Sequence, residues 1–300
     1  MIDLAFVGLG AMGSRLARRL LNSGYRVTGY NRTVQKAREL IPVGLKVAGT
    51  PREAAAGADV VFTMVSDNAA LLAVCLGPDG VLAGLRRGAT LVEMSTVGPD
   101  VTRELGETVA ARGAFMVDAP VSGSTVSVEQ GVASIQVGGD VRILERVRPY
   151  LSVMGPNGIT HVGPLGMAKA MKIATNLGVA VQIMAFCEAV ALAEKSGIAR
   201  EVAVDALMRS VIASPLVKYR GPFVVGRMAP HATFTVPMIQ KDLNLALDQA
   251  DEVGVPAPMT TLVQEWLTKA REIGLGDHDF AVLFDVYAAM SGLPPAPKAV

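Results

Sequence analysis

Cysteine is scarce: Cys75 and Cys187 are the 2 in a chain of 300 residues, far apart and on apolar stretches. Their placement offers neither a disulfide framework nor thiolate metal-ligand spacing, and it suits buried, reduced thiols in a cytosolic protein. Surplus charge is lacking too. The formal net charge is +1 and charged residues are 18% of the chain, so no basic surface of the kind that neutralises a phosphate backbone or grips an anionic membrane is expected. Nucleic acid is therefore not an expected partner. The 3 histidines, His161, His231 and His278, have no metal-ligand spacing; they read as structural or exposed, and no metal is expected. The start, Met1-Ile2-Asp3-Leu4, carries no basic segment ahead of an apolar run, so a secretory signal is not expected and a cytoplasmic location is.

Apolar residues are abundant, at 51% with a mean hydropathy of +0.40. The stretch 173–193 is the one that invites a membrane reading, but it contains Asn176, Gln182 and Glu188. A carboxylate near the middle of a span costs roughly 2.5–3.5 kcal/mol even on lenient scales. No membrane partner is expected, and this stretch reads as a helix buried in a soluble core or a subunit interface. Trp266 and the methionines at helical spacing read likewise as core or interface material.

Along residues 1–161 short apolar runs alternate with amphipathic ones, the rhythm of strands and helices in a parallel sheet. Residues 2–7, 26–30, 60–64, 90–94, 114–118 and 134–137 read as strands, and 12–23 as a helix. After Gly163 helical periodicity takes over, at about 165–196, 200–209, 239–252, 260–272 and 280–291. Ser196-Gly197 and Val253-Gly254 place glycine where a left-handed cap ends a helix. The stretch 214–237, broken by Pro215, Pro222, Pro230 and Pro237, reads as an irregular connection, and the Pro/Ala-rich end after Leu293 as a tail that frays.

Gly8-Leu9-Gly10-Ala11-Met12-Gly13 places G-x-G-x-x-G between the first strand and the first helix. Gly8 permits the tight turn, Gly10 lets backbone approach a pyrophosphate, and Gly13 lets helix and strand pack closely, while the helix N-terminus offers N–H groups to the anion. The end of the second strand decides the cofactor, because a carboxylate there bonds the ribose 2′-OH and repels a 2′-phosphate. Tyr30-Asn31-Arg32-Thr33 has none and supplies an amide, a guanidinium and a hydroxyl, with Lys36 a turn later. Guanidinium suits phosphate. NADP(H) is favoured over NAD(H), although Asn-Arg-Thr is also an ordinary polar helix start.

With Asp118-Ala119-Pro120-Val121-Ser122-Gly123-Ser124, the 166–176 segment containing Lys172, and Lys241-Asp242-Leu243, the glycine motif completes four ordered motifs over nearly the whole length. On these the chain resembles the β-hydroxyacid dehydrogenase family, which includes 3-hydroxyisobutyrate dehydrogenases and the tartronate semialdehyde and glyoxylate/succinic semialdehyde reductases. The resemblance implies an α/β fold: a Rossmann-type NADP-binding domain over 1–163, linked by a long helix to an all-helical substrate and dimerisation domain over 164–300. It also implies that Ser122 and Gly123 form the substrate-binding turn for a carboxylate.

Lys172 and Asn176 stand four apart on one helix face, so one can exchange a proton with a substrate oxygen that the other orients. Lys169 faces much the same side, composition does not choose between the lysines, and periodicity by itself makes both solvated surface residues. The resemblance selects Lys172, because only it matches the family spacing to Gly166 and Asn176. As ammonium it would protonate the alkoxide formed by hydride transfer, and in oxidation it would act as base. A lysine pKa of about 10.4 would then need lowering, by partial burial and by the charge of oxidised nicotinamide. The resemblance further places Thr96 near the nicotinamide and makes Lys241 a cofactor contact, unless Asp242 simply pairs with it. Met64 and Val65 complete the expected cofactor contacts, beside Gly8, Gly10, Ala11, Met12, Gly13, Asn31, Arg32 and Thr33.

Two departures from the family pattern stand out. Ala168 replaces the second glycine of a Gly-x-Gly, and Ser124 replaces a glycine often found after Val-Ser-Gly; both bear on substrate size more than on chemistry. The expected substrate is a small hydroxy acid or aldehyde acid, with the NADPH-using glyoxylate/succinic semialdehyde reductases suggested by Asn-Arg-Thr and 3-hydroxyisobutyrate close behind. The apolar stretch 173–193 exceeds what a small helical domain buries, so a homodimer or homotetramer sharing that helix is expected. The alternatives are an imine reductase, which characteristically replaces the lysine; a 6-phosphogluconate dehydrogenase relative, which would need more chain and a phosphate-binding set; and a noncatalytic NADP-binding interaction protein, which tends to lose the lysine.

Overall fold

Strand β1 (Asp3–Val7) sends Leu4 and Phe6 into one buried cluster and Ala5 and Val7 into another. That is the signature of a central parallel strand covered on both faces. It pairs with β2 (Arg26–Tyr30), which in turn pairs with β3 (Lys46–Val47). On its other side lie β4 (Val60–Thr63), β5 (Thr90–Glu93) and β6 (Phe115–Asp118), giving the parallel order β3-β2-β1-β4-β5-β6. Beyond β6 the sheet becomes mixed. Strands β7 (Val121–Ser122), β8 (Ser134–Gly138) and β9 (Ile159–Gly163) follow; β8 runs antiparallel to β6 and β7 and parallel to β9. The computed structural model describes residues 2–226 and 234–297, and these strands are the nine in its sheet among the described residues.

The helix Ala11–Asn22 packs on this sheet by burying Gly13, Leu16, Ala17, Leu20 and Leu21, spaced three and four apart. The chain divides into two compact units, Met1–Lys172 and Ile173–Val300. Within the second, helices Arg200–Arg209, Pro215–Arg220, Val236–Glu252, Pro258–Glu272 and Leu283–Ser291 accompany the long helix Met167–Lys195, which begins in the first unit. Their core gathers Ile183, Phe186, Cys187 and Val190 with Leu243, Leu267, Phe280 and Phe284. Among the described residues of the second unit there is no strand, only an isolated bridge between Thr235 and Asp279. The fold is thus the expected Rossmann-type sheet followed by a helical region.

By length and composition Met167–Lys195 is apolar enough to cross a membrane, as the core helix of a soluble protein also can be. Its polar side chains have partners: Ser214 Oγ lies 2.7 Å from Gln182 Oε1, and the Tyr287 hydroxyl donates to Glu188 at 2.8 Å. Gln182 and Glu188, expected to keep this stretch out of lipid, thus have hydrogen-bond partners within the protein.

Several details differ from the sequence expectations. Strands β3, β7 and β9 were not legible, being short or, in β9, partly exposed. The stretch 214–237 is not wholly irregular. Ser214 caps Pro215–Arg220, with proline in its first turn where no N–H is needed, and a 3-10 turn follows at Gly221–Val225. His231 and Pro230 lie outside the described residues. The expected helix 280–291 opens with a 3-10 turn, Phe280–Val282. Gly197 and Gly254 do carry positive φ, 94° and 71°, as left-handed helix ends. Cys75 and Cys187 are free and buried. Trp266 stacks on Tyr287 at 4.1 Å between ring centroids.

Candidate active site

Pairing registers align Tyr30, Val7, Thr63, Glu93 and Asp118 in one row across the carboxyl ends of β2, β1, β4, β5 and β6. The residues just beyond this row form the edge where an open α/β sheet binds ligands. Gly8 follows β1 with φ +99°, its N–H donates to Tyr30 O at 2.9 Å, and a side chain there would strike the Met64 carbonyl. At Gly13 a side chain would meet the Gly8 carbonyl and, at 3.1 Å, the Phe6 ring. At Gly10, by contrast, a Cβ would point into open space, and Gly10 begins the helix without a side-chain cap or an acidic residue in the first turn. An uncapped helix start under an open turn fits a pyrophosphate. Ala11 is exposed and Met12 half-buried beside it.

Asn31 is held from both sides. Its Oδ1 accepts from Leu9 N at 2.9 Å and its Nδ2 donates to Thr33 O at 3.0 Å, so the amide locks the glycine turn to the end of β2. Arg32, Thr33 and Lys36 next to it are exposed, with no carboxylate in that run. These residues fit a ribose carrying a 2′-phosphate. Met64 and Val65 are half-buried beyond β4, with Val65 N bonded to Ser95 Oγ at 2.8 Å, and Thr96 is half-buried beyond β5.

Ser122 lies in β7, opposite Ser134, rather than in a plain turn. Gly123 follows, exposed and with φ +146°. Ser124 then caps the helix Thr125–Glu129 reciprocally with Ser127, each hydroxyl accepting the other's N–H at 3.1 Å.

The two lysines of the long helix differ sharply. Lys169 is 0% exposed, ion-paired with Glu93, and donates to the Glu93 and Ser95 carbonyls at 3.0 and 2.7 Å. The surface reading from periodicity is therefore wrong for Lys169: the ends of β5 supply oxygens that satisfy a buried ammonium. Lys172 is half-buried. Asp118, wholly buried at the end of β6, accepts from the N–H groups of Gly166 at 2.9 Å and Lys169 at 3.0 Å, anchoring the helix start. Sequence reasoning missed Glu93 and Asp118 as a pair; carboxylates ending two successive apolar strands were the available signal.

In the second unit Asn176 is buried and donates to Asp242 Oδ2 at 2.6 Å, and Lys241 pairs with Asp242 Oδ1 at 2.7 Å. Asp242 thus gathers Asn176 and Lys241. His161 and His278 are exposed, and His161 Nε2 lies 2.8 Å from Gly139 O. Among the described residues no cluster could hold a metal ion. Burial, with the Glu93 charge adding, pushes the Cys75 thiol far up, and burial does the same for Cys187, so neither is a nucleophile.

A Rossmann sheet with an uncapped glycine turn, a phosphate-compatible strand end and lysines on the following helix defines a nicotinamide-dependent oxidoreductase. Comparison narrows this. Residues 3–163 match the family described as the NAD-binding domain of 6-phosphogluconate dehydrogenase, and residues 166–287 that described as NAD-binding of NADP-dependent 3-hydroxyisobutyrate dehydrogenase. Glyoxylate/succinic semialdehyde reductase 1 of Arabidopsis thaliana is 33% identical over 284 residues, covering 95% of this chain and 98% of that one. The structure of Mycobacterium tuberculosis 3-hydroxyisobutyrate dehydrogenase with L-serine is 29% identical, with a TM-score of 0.82 over 95% of this chain and 98% of its own. Psf3, in complex with NADP+ and 2-OPP, is 27% identical, with a TM-score of 0.86 over 94% and 99%. The chain belongs to the β-hydroxyacid dehydrogenase family. It is an NAD(P)-dependent hydroxyacid dehydrogenase acting on CH–OH groups, and NADP(H) is its cofactor.

Proposed function

We propose that the chain reduces a small aldehyde acid with NADPH, glyoxylate or succinic semialdehyde ahead of methylmalonate semialdehyde and tartronate semialdehyde, with Lys172 donating the proton. Bound NADPH supplies the hydride. The observation that carries the assignment is the difference in burial between the two lysines: the Lys169 ammonium is enclosed by Glu93 and two carbonyls and is closed to a substrate, whereas Lys172, three residues on, is half-buried. Ser122 and Gly123 would hold the substrate carboxylate through backbone N–H and hydroxyl, Asn176 would orient its carbonyl oxygen, and Thr96 would contact the cofactor, whereas Lys241 would reach it only by giving up its ion pair with Asp242.

Residues 1–163 would form the cofactor domain and 164–300 the substrate and dimerisation domain. The exposed positions of the long helix include Ala174, Gly178 and Ala185, small enough for close approach by a second copy, which supports a homodimer or homotetramer. Light scattering that returns a monomer at micromolar concentration would remove that part.

The decisive experiment is an initial-rate screen of these four acids and their alcohols with both cofactors, repeated with Lys172→Ala. Turnover of an aldehyde acid that falls by roughly 100-fold or more in the variant is expected for loss of a general acid. Cyclic imines belong in the same screen: their reduction in preference to any acid, or wild-type turnover by the variant, would refute the proposal.

A further inference from the structure

We infer that Lys169 is a positioning residue for the reaction, holding the turn that carries Lys172 in register with the Ser95-Thr96 segment. This rests on the reading of Lys172 as proton donor. Three oxygens surround the Lys169 ammonium, which carries three protons: the Glu93 carboxylate, Glu93 O at 3.0 Å and Ser95 O at 2.7 Å. The last of these belongs to the residue immediately before Thr96. Lys169 therefore grips, by its side chain, the segment expected beside the nicotinamide, and stands on the same helical turn as the expected proton donor.

The grip is closed on every side. Asp118 takes the N–H groups of Gly166 and Lys169 on its two oxygens, at 2.9 and 3.0 Å. Glu93 Oε1 accepts from Ser95 N at 2.7 Å, and Ser95 Oγ accepts from Val65 N at 2.8 Å. The ends of β4, β5 and β6 and the first turn of the long helix are thus joined through groups that are 0 to 1% exposed at Glu93, Ser95, Asp118 and Lys169. Lys172 follows Lys169 by about 4.5 Å of helix rise, too short a lever for the two to move independently.

A lysine is a costly choice for fastening a helix to a sheet, because both charges lose water; an apolar pair would hold as firmly. Apolar contact is non-directional, however, whereas two hydrogen bonds and an ion pair, converging from separate oxygens, fix both the rotation and the translation of the turn. Directional fastening is what a proton donor needs, since a displacement of about 1 Å costs roughly 100-fold in rate. The packing around it agrees. A Cβ at Gly138 would strike Asp118 and lie 2.8 Å from Pro164 O and 3.1 Å from Ala168 N, so β8 leaves this turn no room to shift toward it.

The test compares wild type, Lys172→Ala, and the double variant Lys169→Met/Glu93→Gln, which removes the ion pair without stranding either charge. NADPH binding stoichiometry by fluorescence counts intact sites, and kcat, KM and the deuterium isotope effect from NADPH labelled at the transferred position are then read per site. The expected result for the double variant is kcat down by ~100-fold with both KM values within about threefold, the pattern of a lost transition-state contact. Its isotope effect on kcat should rise as chemistry becomes limiting. A wild-type kcat per intact site overturns the inference, even if fewer sites are intact, because that is a purely structural role. Should the double variant not fold, Glu93→Asp decides, since it keeps both charges and draws the carboxylate back by one methylene: a kcat loss of about tenfold at constant KM supports positioning, and an unchanged kcat overturns it. Wild-type turnover by Lys172→Ala would instead sink the proton-donor reading underneath, whatever the Lys169 variants do.

Discussion

Asp118→Asn keeps the shape of the side chain and removes its charge at the point where the long helix meets the sheet. Both carboxylate oxygens of Asp118 accept backbone N–H groups, Gly166 on one and Lys169 on the other, in a place with no access to water. An asparagine offers one oxygen to one of these and an NH2 to the other. A charge-assisted bond becomes neutral, a second becomes a donor facing a donor, and the favourable meeting of a carboxylate with a helix N-terminus is lost. Leaving one buried donor unsatisfied costs about 1–3 kcal/mol, and the lost charge at the helix start about 0.3–2 kcal/mol. The sum is about 3 kcal/mol at its centre. With a urea m-value of about 2 kcal/mol/M, the midpoint of the transition should fall by about 1.5 M. Urea unfolding followed by circular dichroism at constant m measures it. A midpoint within about 0.3 M of wild type would show that the helix start does not depend on this carboxylate, and the clamp described around Lys169 would lose one of its jaws.

Two further outcomes are expected. Arg32→Ala should lower kcat/KM for NADPH by roughly 10- to 100-fold, the worth of one charge-assisted bond to phosphate, and leave the NADH value nearly unchanged; equal losses with both cofactors would mean that Arg32 does not meet the 2′-phosphate. Burial raises the Asp285 carboxyl above its ordinary range, with Arg200 and His278 opposing in part. The folded state then binds more protons than the unfolded one across that window, so wild-type stability falls as pH rises through it. Asp285→Asn keeps an oxygen for Ala296 N, now 2.6 Å from Asp285 Oδ1, and should be more stable than wild type at neutral pH, with the difference closing as pH falls below the unfolded pKa of about 3.9. Urea midpoints at both ends of this range check it; a difference that does not change with pH refutes it.

What the sequence made legible was set by range of interaction. The glycine turn is local, written in three glycines between a strand and a helix, and each meets the constraint foreseen for it: positive φ at Gly8, open space at Gly10, close packing at Gly13. The central strands are readable because burial on both faces makes them continuous apolar runs. Strands β3 and β7, of two residues each, carry too little pattern to be read, and exist because a longer neighbour pairs with them. The burial of Lys169 is hidden for the same reason: 76 residues separate it from Glu93, and helical periodicity has no means of announcing a carboxylate at the end of a distant strand. A separation of 66 positions along the chain hides the hydrogen bond of Asn176 to Asp242 equally well.

The two departures from the family pattern acquire a physical meaning once placed. Ala168 is 0% exposed, and its backbone N lies where a side chain on Gly138 would arrive, so its methyl group is packing material at the helix start rather than a wall facing solvent. Ser124 spends its hydroxyl and its N–H on Ser127, closing a reciprocal cap that a glycine could not make. That cap fixes the chain immediately after Gly123, whose φ of +146° few other residues adopt. What Ser124 changes is stiffness: the turn expected to receive the substrate carboxylate is held between β7, through the pairing of Ser122 with Ser134, and a capped helix beginning one residue beyond Ser124. A turn clamped on both sides presents its N–H groups in one arrangement, which suits recognition of a small carboxylate by fixed geometry more than accommodation of acids of varied size.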